Sequence, residues 1–243
     1  MVQQQQIDEF VARLKSAAGD NLQSIILYGS AANGEFHDGH SNINLLCIFR
    51  DASFPRLATV SDAVDSWTRH RHAAPLLMTQ DEIVHSADIF SIEFLDMKRR
   101  YKVLYGDDVL RDLQIPMHLH RAQLEYELRE KLILLRQHIL PALRDEKRLW
   151  ELMLSSLSTF TTLFRHALIA LGESGALSSR DAIRALHARI TFDTSAFEHL
   201  FDIREHRAER KQFEPRQILD NYLHAIQQVT AAVDTMLDSP QKA

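Results

Sequence analysis

Hydrophobic periodicity changes once along this chain, near Pro116, and that change limits what the chain can build. Before Pro116, short apolar runs bounded by turn residues alternate with helix-spaced segments; after it, the spacing is helical almost to the end. Ile7, Phe10, Val11 and Leu14 recur at three- and four-residue steps and predict a helix. Residues 24–27, 43–49 and 75–78 read as short buried strands. A fourth strand is predicted at 90–95, where Glu93 alternates with apolar neighbours, and a fifth at 103–105, stopped by Gly106-Asp107-Asp108. Residues 55–71 read as a helix opened by Pro55. Thr79 followed three residues later by Glu82 has the form of a capping box, so a further short helix is expected there. This half is a mixed α/β unit, taken as 1–114.

The second half, 115–239, reads as an all-α up-down helical bundle. One helix is predicted from 118 to about 140, where Pro141 breaks or restarts it. A long apolar helix should follow from about 142 to 171, closed by Gly172 and Gly175. Shorter helices are expected after Ser178-Ser179 and after Thr194-Ser195, and Pro215 opens the last.

Composition sets outer bounds. With 243 residues, 45 % of them hydrophobic, the chain is long enough for two compact domains and apolar enough to build their cores. Its single cysteine, Cys47, lies in an apolar strand and reads as a buried structural thiol, with no disulfide framework. No apolar run reaches membrane-spanning length, and the first residues lack the basic and apolar regions of a signal peptide. Cytoplasmic residence is the expectation. A net charge of -5 and a pI near 6.2 argue against a broad nucleic-acid-binding surface.

The chemistry-bearing stretch is Leu27-Tyr28-Gly29-Ser30, then Ala31-Ala32-Asn33-Gly34-Glu35, then Ser41-Asn42-Ile43-Asn44-Leu45-Leu46. Glycine in a turn after a strand lets the backbone approach a phosphate, and amides plus a hydroxyl donate to it. Two polar residues one apart on the next strand share a face, because strand side chains alternate. Over residues 5–113 this arrangement resembles the DNA polymerase β-like nucleotidyltransferase superfamily, in particular its minimal and kanamycin-nucleotidyltransferase-like members. The resemblance implies that Gly29 and Ser30 hold a triphosphate, ATP or another nucleoside triphosphate. It implies that positions 42, 44 and 93 carry the carboxylates that bind Mg²⁺. Two of those three positions hold Asn42 and Asn44; Glu93 alone is acidic. Asn33 replaces an arginine frequent before Gly34. The bundle resembles the helical domain that follows in kanamycin-nucleotidyltransferase-like proteins, which implies an acceptor site and a homodimer.

Asparagine is nearly isosteric with aspartate but neutral, so two anionic ligands of a hard dication are gone. The expectation is a nucleotidyltransferase-fold protein with impaired or absent transfer that keeps nucleotide binding or a regulatory role. Two alternatives stand beside it. One is an active enzyme moving a nucleoside monophosphate to a small molecule or protein, with Glu35 or Asp38 swinging in. The other is a non-catalytic interaction protein acting through its bundle.

Other constellations have structural readings. The histidine pairs 37/40, 70/72 and 118/120 lack recurring zinc spacing. Arg204, Arg207, Arg210 and Lys211 form either an anion-binding stripe or a solvated face paired with Glu205 and Glu209. Lys98, Arg99, Arg100 and Lys102 are candidates for a phosphate contact near Glu93. Arg180 and His187 have a spacing found in the ribonuclease motif of helical HEPN proteins. Leu152, Leu157, Phe160, Leu163, Phe164 and Leu168 read as bundle core or dimer seam.

Overall fold

The computed structural model describes residues 2–33, 43–173 and 177–238, and the chain divides into two compact units, Met1–Met117 and His118–Ala243. The first unit runs α1 (Val2–Ala18), β1 (Leu22–Tyr28), a 3-10 turn (Ser30–Asn33), β2 (Asn44–Phe49), α2 (Phe54–Ala58), α3 (Ser61–Arg69), β3 (Leu76–Thr79), α4 (Gln80–Ser86), α5 (Ser91–Arg99) and β4 (Tyr101–Gly106). The strands form one mixed sheet in the order β3-β2-β1-β4, antiparallel except for the β2–β3 pair.

Both faces of this sheet are covered, which is why its central strands read as continuous apolar runs. Ile25 and Leu27 of β1, with Leu45, Cys47 and Phe49 of β2, pack against Phe10 and Leu14 of α1 and Trp67 of α3. The residues between them, Ile26, Leu46 and Ile48, point the other way onto Ile83, Phe94 and Met97 of α4 and α5. By the same alternation Tyr28 shares the face of Ile26, and Asn44 that of Leu46. Cys47 is fully buried, and burial pushes its thiol up to about 12. It is a core residue, inert as a nucleophile.

Thr79 caps α4 as its spacing predicts: its hydroxyl accepts from the Glu82 amide at 3.1 Å, while the Glu82 carboxylate accepts from the Thr79 amide at 2.7 Å. Residues 55–71 are not one helix but two, α2 and α3, interrupted at Thr59 and Val60; buried Val60 is drawn into the α1–α3 core. The expected strand at 90–95 is a helix, α5. Ile92, Phe94 and Met97 are its buried apolar residues, and Phe94 and Met97 keep the three-residue step that places both on the sheet. The sheet therefore has four strands, with 103–105 falling inside β4.

The second unit comprises α6 (His120–Ala142), α7 (Glu146–Ala170), α8 (Ser179–His187), α9 (Ser195–Arg204) and α10 (Pro215–Asp238). Pro141 does not break α6. It lies in the last turn, and the helix ends one residue later at Ala142. The next helix begins at Glu146, not near 142, because Asp145 caps it: its carboxylate accepts from the Lys147 and Arg148 amides. Gly172 closes α7 with paired bonds, its own amide to the Ile169 carbonyl and that of Glu173 to Leu168, both 3.0 Å. Leu157, Phe160, Leu163, Phe164 and Leu168 of α7 are buried. Phe197 lies 5.3 Å from Phe164 and 4.9 Å from Tyr222, ring to ring, so aromatic packing joins α7, α9 and α10.

His120 at the start of α6 and His166 of α7 are both buried, with ring centroids 5.2 Å apart. Burial, then the neighbouring His166, drives the His120 pKa down to about 4; a hydrogen bond to the His166 backbone acts weakly the other way. The folded-state value lies below the unfolded one, so this group's contribution to stability is complete above about pH 6.5. It is lost as pH falls towards 4 and amounts at full extent to roughly 3 kcal/mol. Thermal melts between pH 7 and 4 should therefore decline more steeply for the native chain than for His120→Gln. Parallel curves would contradict this assignment.

Candidate functional site

The β1–β2 end of the sheet brings the predicted turn and one predicted metal position together. Gly29 leaves β1 with φ +80°, a conformation that L side chains rarely adopt. Its amide donates to the Arg100 carbonyl at 3.0 Å, tying the turn to the α5–β4 junction. Its carbonyl accepts from Ala32 at 3.1 Å and starts the 3-10 turn. A methyl group added at Gly29 would stand 3.3 Å from the side-chain nitrogen of Asn44. The Asn44 amide therefore lies directly against the glycine turn, where the resemblance places a carboxylate.

Tyr28 pairs across the sheet with Asn44 on one side and Tyr101 on the other. Burial raises its pKa, and the negative charge of Glu93 raises it further. Glu93 thus acts electrostatically on the residue beside Asn44 and Gly29, although it projects from α5 and not from a strand. Tyr28 escaped the sequence reading as a site residue, and Arg100, read there for its side chain as a phosphate candidate, meets the turn through its backbone carbonyl. Tyr28 was readable in principle, because it precedes the turn and shares the parity of Ile26. The Arg100 carbonyl contact carries no side-chain signal at all.

Asn42, Glu35, Asp38, His37 and His40 lie outside the described residues. Among the described residues, no three His, Cys, Asp or Glu side chains are grouped so that they would hold a metal ion. The described groups nearest the turn are one neutral amide, that of Asn44, and one carboxylate, that of Glu93, whose charge is felt at Tyr28. That set does not fit a resident Mg²⁺, which takes charged oxygens in strict octahedral geometry.

Of the remaining candidates, Lys98, Arg180, His187, Arg207 and Lys211 take structural roles. Lys98 donates to the carbonyls of Arg111 and Leu113, at 3.1 and 2.7 Å, and so fastens the segment after β4. Arg180 is held by Glu198, by Asp202 at 2.9 Å and by Glu205 at 3.0 Å, over the ring of Phe201. His187 Nδ1 is 2.8 Å from the Phe192 carbonyl. Arg180 and His187 are thus each engaged in fastening the α8–α9 region. The stripe from Arg204 to Lys211 is not one helical face, because α9 ends at Arg204. Arg207 pairs with Glu205 and Lys211 with Glu209, as the solvated-face reading requires.

The mixed sheet, its glycine turn and the helical unit that follows define a nucleotidyltransferase fold. Across 95 % of this chain and 98 % of the other, the fold is similar to the crystal structure of spectinomycin adenyltransferase AAD(9) from Enterococcus faecialis with ATP and spectinomycin, with a TM-score of 0.57 and 15 % sequence identity. A toxin-antitoxin structure with AMP-PNP aligns over 41 % of this chain and 73 % of its own at 16 % identity, with a TM-score of 0.29 that is too low to argue from. No protein-family model and no curated protein sequence matches the chain. No helix among the described residues is long and apolar enough to cross a membrane.

Proposed function

We propose that this chain uses the nucleotidyltransferase fold to bind a nucleoside triphosphate while transferring little or none of it. The observation that carries the reading is the placement of the Asn44 amide against the Gly29 turn. A neutral group stands where a metal-binding carboxylate would meet the phosphates. The turn itself keeps the glycine that lets a phosphate approach the backbone amides. Each carboxylate lost from a dication costs several kcal/mol of attraction even at an effective dielectric of about 20. Without carboxylates at positions 42 and 44 to accept the proton of an acceptor hydroxyl, about 10²- to 10⁴-fold of general-base assistance is also missing. The similarity to an adenyltransferase crystallised with ATP supports ATP as the first nucleotide to try.

Calorimetry with ATP, with and without Mg²⁺, tests the binding half, and pyrophosphate release tests the transfer half. The expected result is saturable ATP binding that changes little with Mg²⁺, weakened several-fold by Ser30→Ala, and no pyrophosphate above background. Rapid pyrophosphate release that Asn44→Ala abolishes would overturn the proposal.

A further inference from the structure

The face of α6 turned away from its own bundle is apolar along a single line. Tyr126, Ile133 and Leu140 recur every seven residues and are 63 %, 53 % and 71 % exposed. The buried residues of the same helix, Leu124, Leu128, Leu132, Leu135 and Ile139, lie on the opposite side. A seven-residue step drifts only about 20° per repeat around an α-helix, so the three exposed side chains form one seam. Large apolar side chains aligned along a solvated helix mark an interaction surface far more often than isolated ones do.

The charges beside the seam identify its occupant. Arg136 is exposed and has no ion-pair partner among the described residues. Glu130, one turn and a half earlier, holds Lys131 at 2.6 Å through one oxygen and has a second to offer. If two copies of α6 cross antiparallel with the two-fold axis at Ile133, Ile133 meets its counterpart and Tyr126 meets Leu140. The same axis sets Glu130 opposite Arg136 twice. Such self-complementarity is what a closed two-fold interface demands. We propose that this face of α6 is a homodimer interface built on a second copy of the chain, antiparallel and centred on Ile133. The buried apolar residues of α7 are committed to the bundle and take no part.

Sedimentation velocity on the full chain, over a wide concentration range, tests this. The expected result is a dimer. Ile133→Lys should weaken it by at least about 100-fold, since each tenfold corresponds to about 1.4 kcal/mol and two unpaired ammonium groups would meet at the axis. Glu130→Arg alone and Arg136→Glu alone should each weaken the dimer, and the two together should restore it. All these positions are exposed or half-exposed, so circular dichroism of each variant should match the native chain, and any fall in melting temperature should vanish at concentrations where the native chain is also monomeric. A chain that stays monomeric, a dimer indifferent to Ile133→Lys, or a double charge swap without rescue would overturn the proposal.

Discussion

Gly106→Ala is expected to lower the stability of the first unit by about 4 kcal/mol or more, placing it among the rare severe single substitutions. Gly106 ends β4 at φ +74°, where a side chain is strained whatever the space around it. Here there is also no space. A Cβ at this position would stand 1.8 Å from the Gln23 carbonyl oxygen and 2.9 Å from its carbon. Those are backbone atoms of the neighbouring strand, so no rotamer change relieves the overlap. The strands themselves would have to part where Gly106 pairs with Ser24. Parting them would strain the bond of the Ser24 hydroxyl, whose one hydrogen faces the Asp107 carbonyl at 2.7 Å and the Tyr105 carbonyl at 3.1 Å. Ser24 is fully buried, and a buried hydroxyl deprived of acceptors costs about 1–3 kcal/mol by itself. Urea unfolding followed by far-ultraviolet circular dichroism measures the effect. A loss below about 1 kcal/mol would mean that β1 and β4 tolerate separation and that this close approach is not needed.

The same residue shows where sequence reading succeeds and where it stops. Gly106-Asp107-Asp108 was legible as a strand terminator because turn chemistry is local. That Gly106 must be glycine because Gln23 lies against it was not legible, since the contact joins strands far apart in the chain. The capping box at Thr79 was readable for the local reason, and the face-by-face alternation of β1 and β2 followed from period two. Residues 90–95 misled because five residues of alternation fit a strand and a helix equally well. The decision lay in Met97, which completes the buried step from Phe94 onto the sheet. Within the site, Gly29 and Asn44 were singled out by the family resemblance of the turn and the strand after it, whereas Tyr28 and the Arg100 carbonyl owe their places to strand register and backbone hydrogen bonding.

Asn42→Asp combined with Asn44→Asp should raise affinity for Mn²⁺ or Mg²⁺ by at least about 100-fold in the presence of ATP, because two charged oxygens replace two neutral ones. The change should be visible before any chemistry. Without metal, the new carboxylate at 44 would sit against the Gly29 turn and face the field of Glu93, whose charge already raises the Tyr28 pKa. Like charges so placed repel, so the metal-free double variant should melt below the native chain. Adding metal at about 100 times its dissociation constant should return about 2.7 kcal/mol, since a ligand that binds only the folded state stabilises it by mass action. The native chain should show almost no such metal-dependent shift. Pyrophosphate release is the second readout and can rise only if the first does, because transfer requires the dication in place. A gain in metal affinity without turnover would mean that charge at 42 and 44 restores the ion but not the acceptor's activation. No gain in affinity would mean that Glu93, projecting from α5, does not converge with positions 42 and 44, and that the turn at Gly29 serves a purpose other than phosphate binding.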